Sequence, residues 1–210
     1  MRALVFATAL CLAGCASPPA SGPTETPDGE IIDEPRFDPA AWTAAVEAAE
    51  TPAELVSLSE ALLDAVDWRT ACGEDDPTAP GRGILQLHDL KDDRTLAEIT
   101  CQTRASQSSF ALVDVDAGHP PRLVQSLGVS EAGEPTEEET SSFYGIVSTA
   151  GEPPGAFEVL TKSAGHGGCG LDVQYRVLDD GGAEIVRVRA HDDCDAPKPP
   201  ADWPVTYPDS

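Results

Sequence analysis

Two cysteines and the turn between them constrain this chain more than any other feature. Leu171, Val173, Tyr175 and Val177 alternate with Asp172, Gln174 and Arg176, the period of two of a half-buried antiparallel strand. Asp179-Asp180-Gly181-Gly182 follows, and its glycines suit the left-handed backbone of a hairpin turn, so 184–190 reads as the returning strand. With the turn centred between Gly181 and Gly182, Cys169 falls directly opposite Cys194. Opposed positions lie about 4.5–5.5 Å apart, within the span of a disulfide, so the sequence predicts a Cys169–Cys194 bond.

The length of 210 residues favours one globular domain with tails, and 40% hydrophobic residues suffice for a core. Thirty-seven Asp and Glu against 13 Lys and Arg give a net charge of −24. Such a charge repels phosphate backbones and anionic headgroups, which excludes nucleic acid as a partner and disfavours electrostatic membrane binding.

The first residues provide a different route to a membrane. Met1-Arg2 is basic, residues 3–13 are apolar, and the stretch closes on small residues, the layout of a secretory signal peptide over 1–14. Leu12-Ala13-Gly14-Cys15 resembles a bacterial lipobox. That resemblance implies diacylglyceryl transfer to Cys15, cleavage before it and N-acylation of the new terminus. Several acyl chains anchor firmly where one binds reversibly. Loss of Arg2 leaves the mature chain one unit more acidic. Ala16 follows the cysteine where an Asp would favour retention at the inner membrane, so the expected place is the outer membrane, facing the periplasm. Residues 15–37 hold Pro18, Pro19, Pro23, Pro27 and Pro35 and read as an extended tether of about 3 Å per residue.

Asp38-Pro39 opens a helix, with Asp as N-cap and Pro in the first turn, and Thr51-Pro52-Ala53-Glu54 opens a second with a capping box. Leu55, Leu58, Leu62 and Val66 recur at spacings of three and four, one side of a core. Residues 38–67 therefore form a helical lead-in. From Trp68 onward β-like runs predominate, at 84–90, 97–103, 110–115, 122–127, 143–148, 156–161, 171–178 and 184–190. The acidic stretch 131–140 reads as a solvated loop. The expected fold is α+β: a helical lead-in packed on a mainly antiparallel β domain over 68–210, with about seven or eight strands and two disulfides.

Cys11 leaves with the signal peptide and Cys15 takes lipid, which leaves Cys72, Cys101, Cys169 and Cys194 in an oxidising compartment. Four cysteines allow three connectivities. With the hairpin fixing Cys169–Cys194, Cys72 pairs with Cys101 by elimination. His166-x-x-Cys169 and His191-x-x-Cys194 resemble the ligand content of a zinc site. Hairpin register sets His191 opposite residue 172 and the imidazoles about 20 Å apart. No metal is therefore assigned. Asp114-x-Asp116-x-Gly118 resembles the start of a calcium loop without its later ligands. His191-Asp192-Asp193 with Asp195 reads as charges at a hairpin end. Gly128-Val129-Ser130-Glu131-Ala132 lacks the second glycine of a nucleophile elbow. No catalytic residue and no cofactor follows from any motif.

Gly167-Gly168-Cys169-Gly170, a hairpin, Asp193-Cys194 and Asp202-Trp203-Pro204 together resemble the end of a bacterial exported family labelled domain of unknown function 1176. That family shows a Gly-Asp-Cys-Gly motif, and here Gly168 stands in the Asp position. The resemblance implies export and disulfides and carries no activity. The expected function is a non-enzymatic envelope lipoprotein that binds or scaffolds a cell-envelope protein or cell-wall component. The alternatives are a periplasmic hydrolase acting on cell-wall or lipid substrates and a divalent-cation-binding protein.

Overall fold

In the computed structural model, residues 37–73, 85–90, 94–103, 107–116, 118–150, 152–165 and 167–208 are described. The signal peptide, Cys15 and nearly all of the tether, Ile84 and His166 lie outside them.

Helix α1 (Pro39–Ala48) begins where Asp38 accepts a hydrogen bond from the Ala41 amide at 3.1 Å. Helix α2 (Pro52–Ala65) begins with a reciprocal capping box: the Glu54 amide donates to Thr51 Oγ1 at 3.3 Å, and the Thr51 amide donates to Glu54 Oε2 at 2.9 Å. Buried Trp42 of α1 donates its indole N–H to the Leu58 carbonyl of α2 at 2.8 Å, locking the two helices together. A one-turn helix, α3 (Trp68–Cys72), follows, so helical structure runs past residue 67 into the stretch read from sequence as β. Thr70 donating to Asp67 at 2.6 Å and the bond from Cys72 to Cys101 hold that turn. Its length is too short for a sequence period to show.

The strands are β1 (Leu85–Asp89), β2 (Thr95–Thr103), β3 (Ser108–Asp114), β4 (Arg122–Leu123), β5 (Gln125–Val129), β6 (Pro135–Thr140), β7 (Ser142–Thr149), β8 (Ala156–Lys162), β9 (Gly170–Val177), β10 (Gly182–His191) and β11 (Val205–Tyr207). They form one 11-stranded sheet in the order β1-β2-β3-β7-β8-β9-β10-β5-β6, with β11 on β10 and β4 on β3. All pairs are antiparallel except β5 with β10. Each expected strand has a counterpart. The larger number comes from the division of 122–127 at Val124 and from short β6 and β11.

The strand path closes on itself. From β3 it runs through β7, β8, β9 and β10 to β5, and β5 is continuous through Val124 with β4, which pairs back onto β3. Fully buried Val124 donates its amide to the Leu112 carbonyl at 2.8 Å at the closure. Strands β3, β5, β7, β8, β9 and β10 of this ring contribute to one core, while Leu123 of β4 packs on the helix side. Val147, Val159, Val173 and Val188 stand side by side across β7 to β10. Phe157 stacks on Tyr175 at 5.2 Å, and Phe143 meets Tyr175 edge-on at 5.6 Å.

Strand β3 is buried on both sides. Phe110 and Leu112 face the barrel core, while Val113 faces Trp42, Leu62 and Leu63 of the helices. The lead-in thus packs on the outer face of β1, β2 and β3, with Leu85, Ala97 and Ile99 as its floor. Cys72–Cys101, with Cα atoms 5.2 Å apart, joins α3 to β2.

Two sequence expectations need correction. The 131–140 segment is not wholly a loop: β6 occupies its second half and pairs with β5. Glu137, Glu138 and Glu139 are all exposed there, because an edge strand can ladder its backbone and still leave both faces in water. The second is the hairpin register. Leu178 donates to the Gly182 carbonyl at 2.8 Å, so the turn centres on Asp180, and a bulge between Ile185 and Arg187 moves the pairing to His191 opposite Gly170. Direct opposition would put Cys169 beside Asp192. The chain instead folds back there, with the Cys194 amide donating to the Asp192 carbonyl at 3.1 Å, and Cys194 reaches Cys169 with a Cα separation of 5.1 Å.

Replacing Cys169 and Cys194 together by Ala is expected to cost about 3–4 kcal/mol from the entropy of a loop with a sequence separation of 25, read from the urea midpoint. Phe157→Ala, which removes a fully buried ring packed on both Phe143 and Tyr175, is expected to cost about 3–5 kcal/mol in the same titration.

Candidate functional site

Strands β5 and β10 run parallel for only two residue pairs, Gln125 with Gly182 and Ser126 with Ala183, and then separate. On its other edge β5 pairs with β6 from Ser126 onward, and the edge of β10 that β5 leaves is next covered by β11 at Val188 and Arg189. The fork opens a groove of about 880 Å³, bounded also by the end of α2, the 178–182 turn and Tyr207. That volume lies within the range of about 300–1,000 Å³ typical of ligand sites.

Three features define its chemistry. Ser126 sits at the last parallel pair, 4% exposed, and its Oγ has no hydrogen-bond partner. A buried hydroxyl left unpaired costs about 1–3 kcal/mol. Leu127, the next residue, is 41% exposed in the groove. Among the described residues, Asp67, Glu139, Asp180 and Glu184 line the groove against the single cation Arg122, so their summed charge is negative even with Glu184 paired to Arg176.

The wall formed by the 178–182 turn is fixed by two arginines. Arg122 Nη1 donates to the Asp179 carbonyl at 3.0 Å. Arg94 donates to the Leu178 carbonyl at 3.1 Å and to the Asp179 carboxylate at 2.9 Å. Gly181 has φ +90°, and a Cβ there would lie 3.1 Å from Arg122 Cδ, so both backbone and packing demand glycine.

Beneath that turn lies a second polar cluster. Asp114, at the end of β3, is 0% exposed. His119 Nδ1 donates to the Pro120 carbonyl at 2.8 Å, which directs Nε2 towards Asp114 Oδ2 at 3.3 Å. Arg94 Nη1 is 3.9 Å from the same oxygen. Neither contact has hydrogen-bond geometry, so Oδ2 is held by charge alone. Burial raises the Asp114 pKa above its usual value, against the opposing pull of Arg94 and His119.

The residues singled out from sequence serve mainly as structure. His191 donates Nε2–H to the Ala196 carbonyl at 2.8 Å and lies beside Trp203, while Asp193 accepts from the amides of Asp195 and Ala196. Asp116 accepts from the Gly118 amide at 2.9 Å, which turns the loop after β3. Ser130 likewise caps its own turn by accepting from the Glu134 amide. Among the described residues, no group of three or more His, Cys, Asp or Glu side chains is arranged to hold a metal. No described helix is long and apolar enough to cross a membrane. Sequence reasoning missed Ser126, Leu127 and the Asp114–His119 pair. The available signals were a serine in step with inward Val124 and an acid ending the apolar run of β3. No protein-family profile, curated protein or solved structure matches this chain.

A carboxyl whose pKa is raised in the fold contributes stability that is full below its usual value of 3.8 and is lost as pH rises through the elevated value. Asp114→Asn removes that dependence. The variant is therefore expected to gain stability relative to the parent between acidic and neutral pH, in urea titrations across that range. A difference that stays constant with pH would contradict the assignment.

Proposed function

We propose that this chain is a lipid-anchored, non-enzymatic component of the bacterial cell envelope, attached through Cys15 at the outer membrane, which binds or scaffolds another envelope component. The observation that carries the binding reading is the groove at the fork, a cleft of ligand-site volume in which exposed Leu127 is ringed by acidic side chains. Among the described residues, the groove lining contains no histidine and no cysteine. The two imidazole–carboxylate pairs, His119 with Asp114 and His88 with Glu98, lie outside that lining. The lipobox pattern of Leu12-Ala13-Gly14-Cys15 and the proline-rich tether support an anchored domain that reaches into the periplasm.

Cys15→Ser is expected to remove the acyl mass and release the protein from the membrane pellet. A photoreactive residue at exposed Gln125, which lines the groove, is expected to yield a covalent adduct in cells. The same residue at Val56, 45% exposed on α2 and outside the groove, is expected to yield none. An acylated, membrane-bound Cys15→Ser protein would overturn the anchor. Equal labelling from both positions would overturn the groove.

A further inference from the structure

We infer that the groove takes an extended, basic stretch of a partner polypeptide, added as a strand along the edge of β10. This inference deepens the reading just given and rests on the groove being the binding surface. Along one edge β10 is paired with β9 over almost its whole length. Along the other it meets β5 at Gly182 and Ala183 and β11 at Val188 and Arg189, and among the described residues no strand covers 184–187. An extended segment entering the groove would continue the interrupted ladder, with main-chain hydrogen bonds providing affinity and alternate side chains meeting the two sides of the cleft.

The groove specifies what those side chains should be. Leu127 and Ile185 offer apolar contact, the former 41% exposed. Asp67, Glu139 and Asp180 surround them, and among the described residues Arg122 alone offsets the charge. A basic and apolar alternation fits this surface, and electrostatic complementarity would steer it in. A second copy of a chain with net charge −24 is repelled instead.

The test is fluorescence anisotropy on the full-length protein with two labelled peptides, one alternating Lys and Val and one alternating Glu and Val. The basic peptide is expected to bind at least about tenfold more tightly, with affinity falling as salt rises. Leu127→Arg is expected to weaken it much more than Val56→Arg, which makes the same charge change on α2. Amide exchange at residues 184–187 should slow on binding, which side-chain contact alone would not produce.

Equal losses from Leu127→Arg and Val56→Arg would mean attraction to an acidic surface and would overturn the proposal. Binding of the acidic peptide with the same dependence on Leu127 would overturn the ligand class and leave the groove reading intact. Absence of peptide binding with the Gln125 adduct retained in cells would likewise overturn only the peptide. If both are absent, the groove reading fails too.

Discussion

Everything in this molecule is organised around β3, which must satisfy apolar neighbours on both faces. Phe110 and Leu112 complete the barrel core, and Val113 completes the floor beneath the helices. A strand buried on two sides cannot spare backbone groups, so its neighbours are fixed as well: β2 along one edge, and β7 and then β4 along the other. Because β4 leads through Val124 directly into β5, the need to cover the end of β3 also determines where β5 meets β10. The fork is thus a by-product of closure. One short chain segment serves two partners, and two residue pairs are all that remain for the second.

The same segment explains why the candidate site was hard to read in the sequence while the fold was easier. Helix starts announce themselves locally: Asp38-Pro39 and the Thr51–Glu54 box need only their own neighbours to act, and both do so. The alternation of 171–177 marks the face that enters the core, but the strand is not half-buried as its pattern suggests: Asp172 and Gln174 on the other face are buried as well. Closure has no local signature. Residues 122–127 look like one ordinary strand, and that Arg122 and Ser126 end up beside different partners depends on β3 and β10, which are far away in sequence. The Asp114–His119 pair was opaque for a related reason: its meaning comes from Arg94, which arrives from another hairpin.

The hairpin shows how a correct pairing can rest on an incorrect register. Residue counting placed Cys169 opposite Cys194, yet the turn is longer than the two-residue form and a bulge interrupts β10. Three irregularities, at Asp180, near Val186 and at Asp192-Asp193, leave the sulfurs adjacent. The polar turn residues and glycine were visible in sequence. Their combined displacement was not, since turn type and bulge position depend on packing against β5 and β8.

The Cys72–Cys101 bond has a mechanical consequence. A pull applied to the chain at Phe37 is first resisted by the seam between helices and sheet, with Trp42, Leu62 and Leu63 seated on β1 to β3. Should that seam shear, the helices can peel away only as far as Cys72, where the load passes covalently into β2. Strand β2 is hydrogen-bonded on both edges, to β1 and to β3, so force arrives in the interior of the sheet and is shared between two ladders. The lead-in is in effect a sacrificial spring in front of a rivet. The β5–β10 fork does not escape that path: Ala65, Val66 and Asp67 at the end of α2 form one wall of its groove, so helices that peel back to Cys72 open the cleft from that side while its strands stay paired.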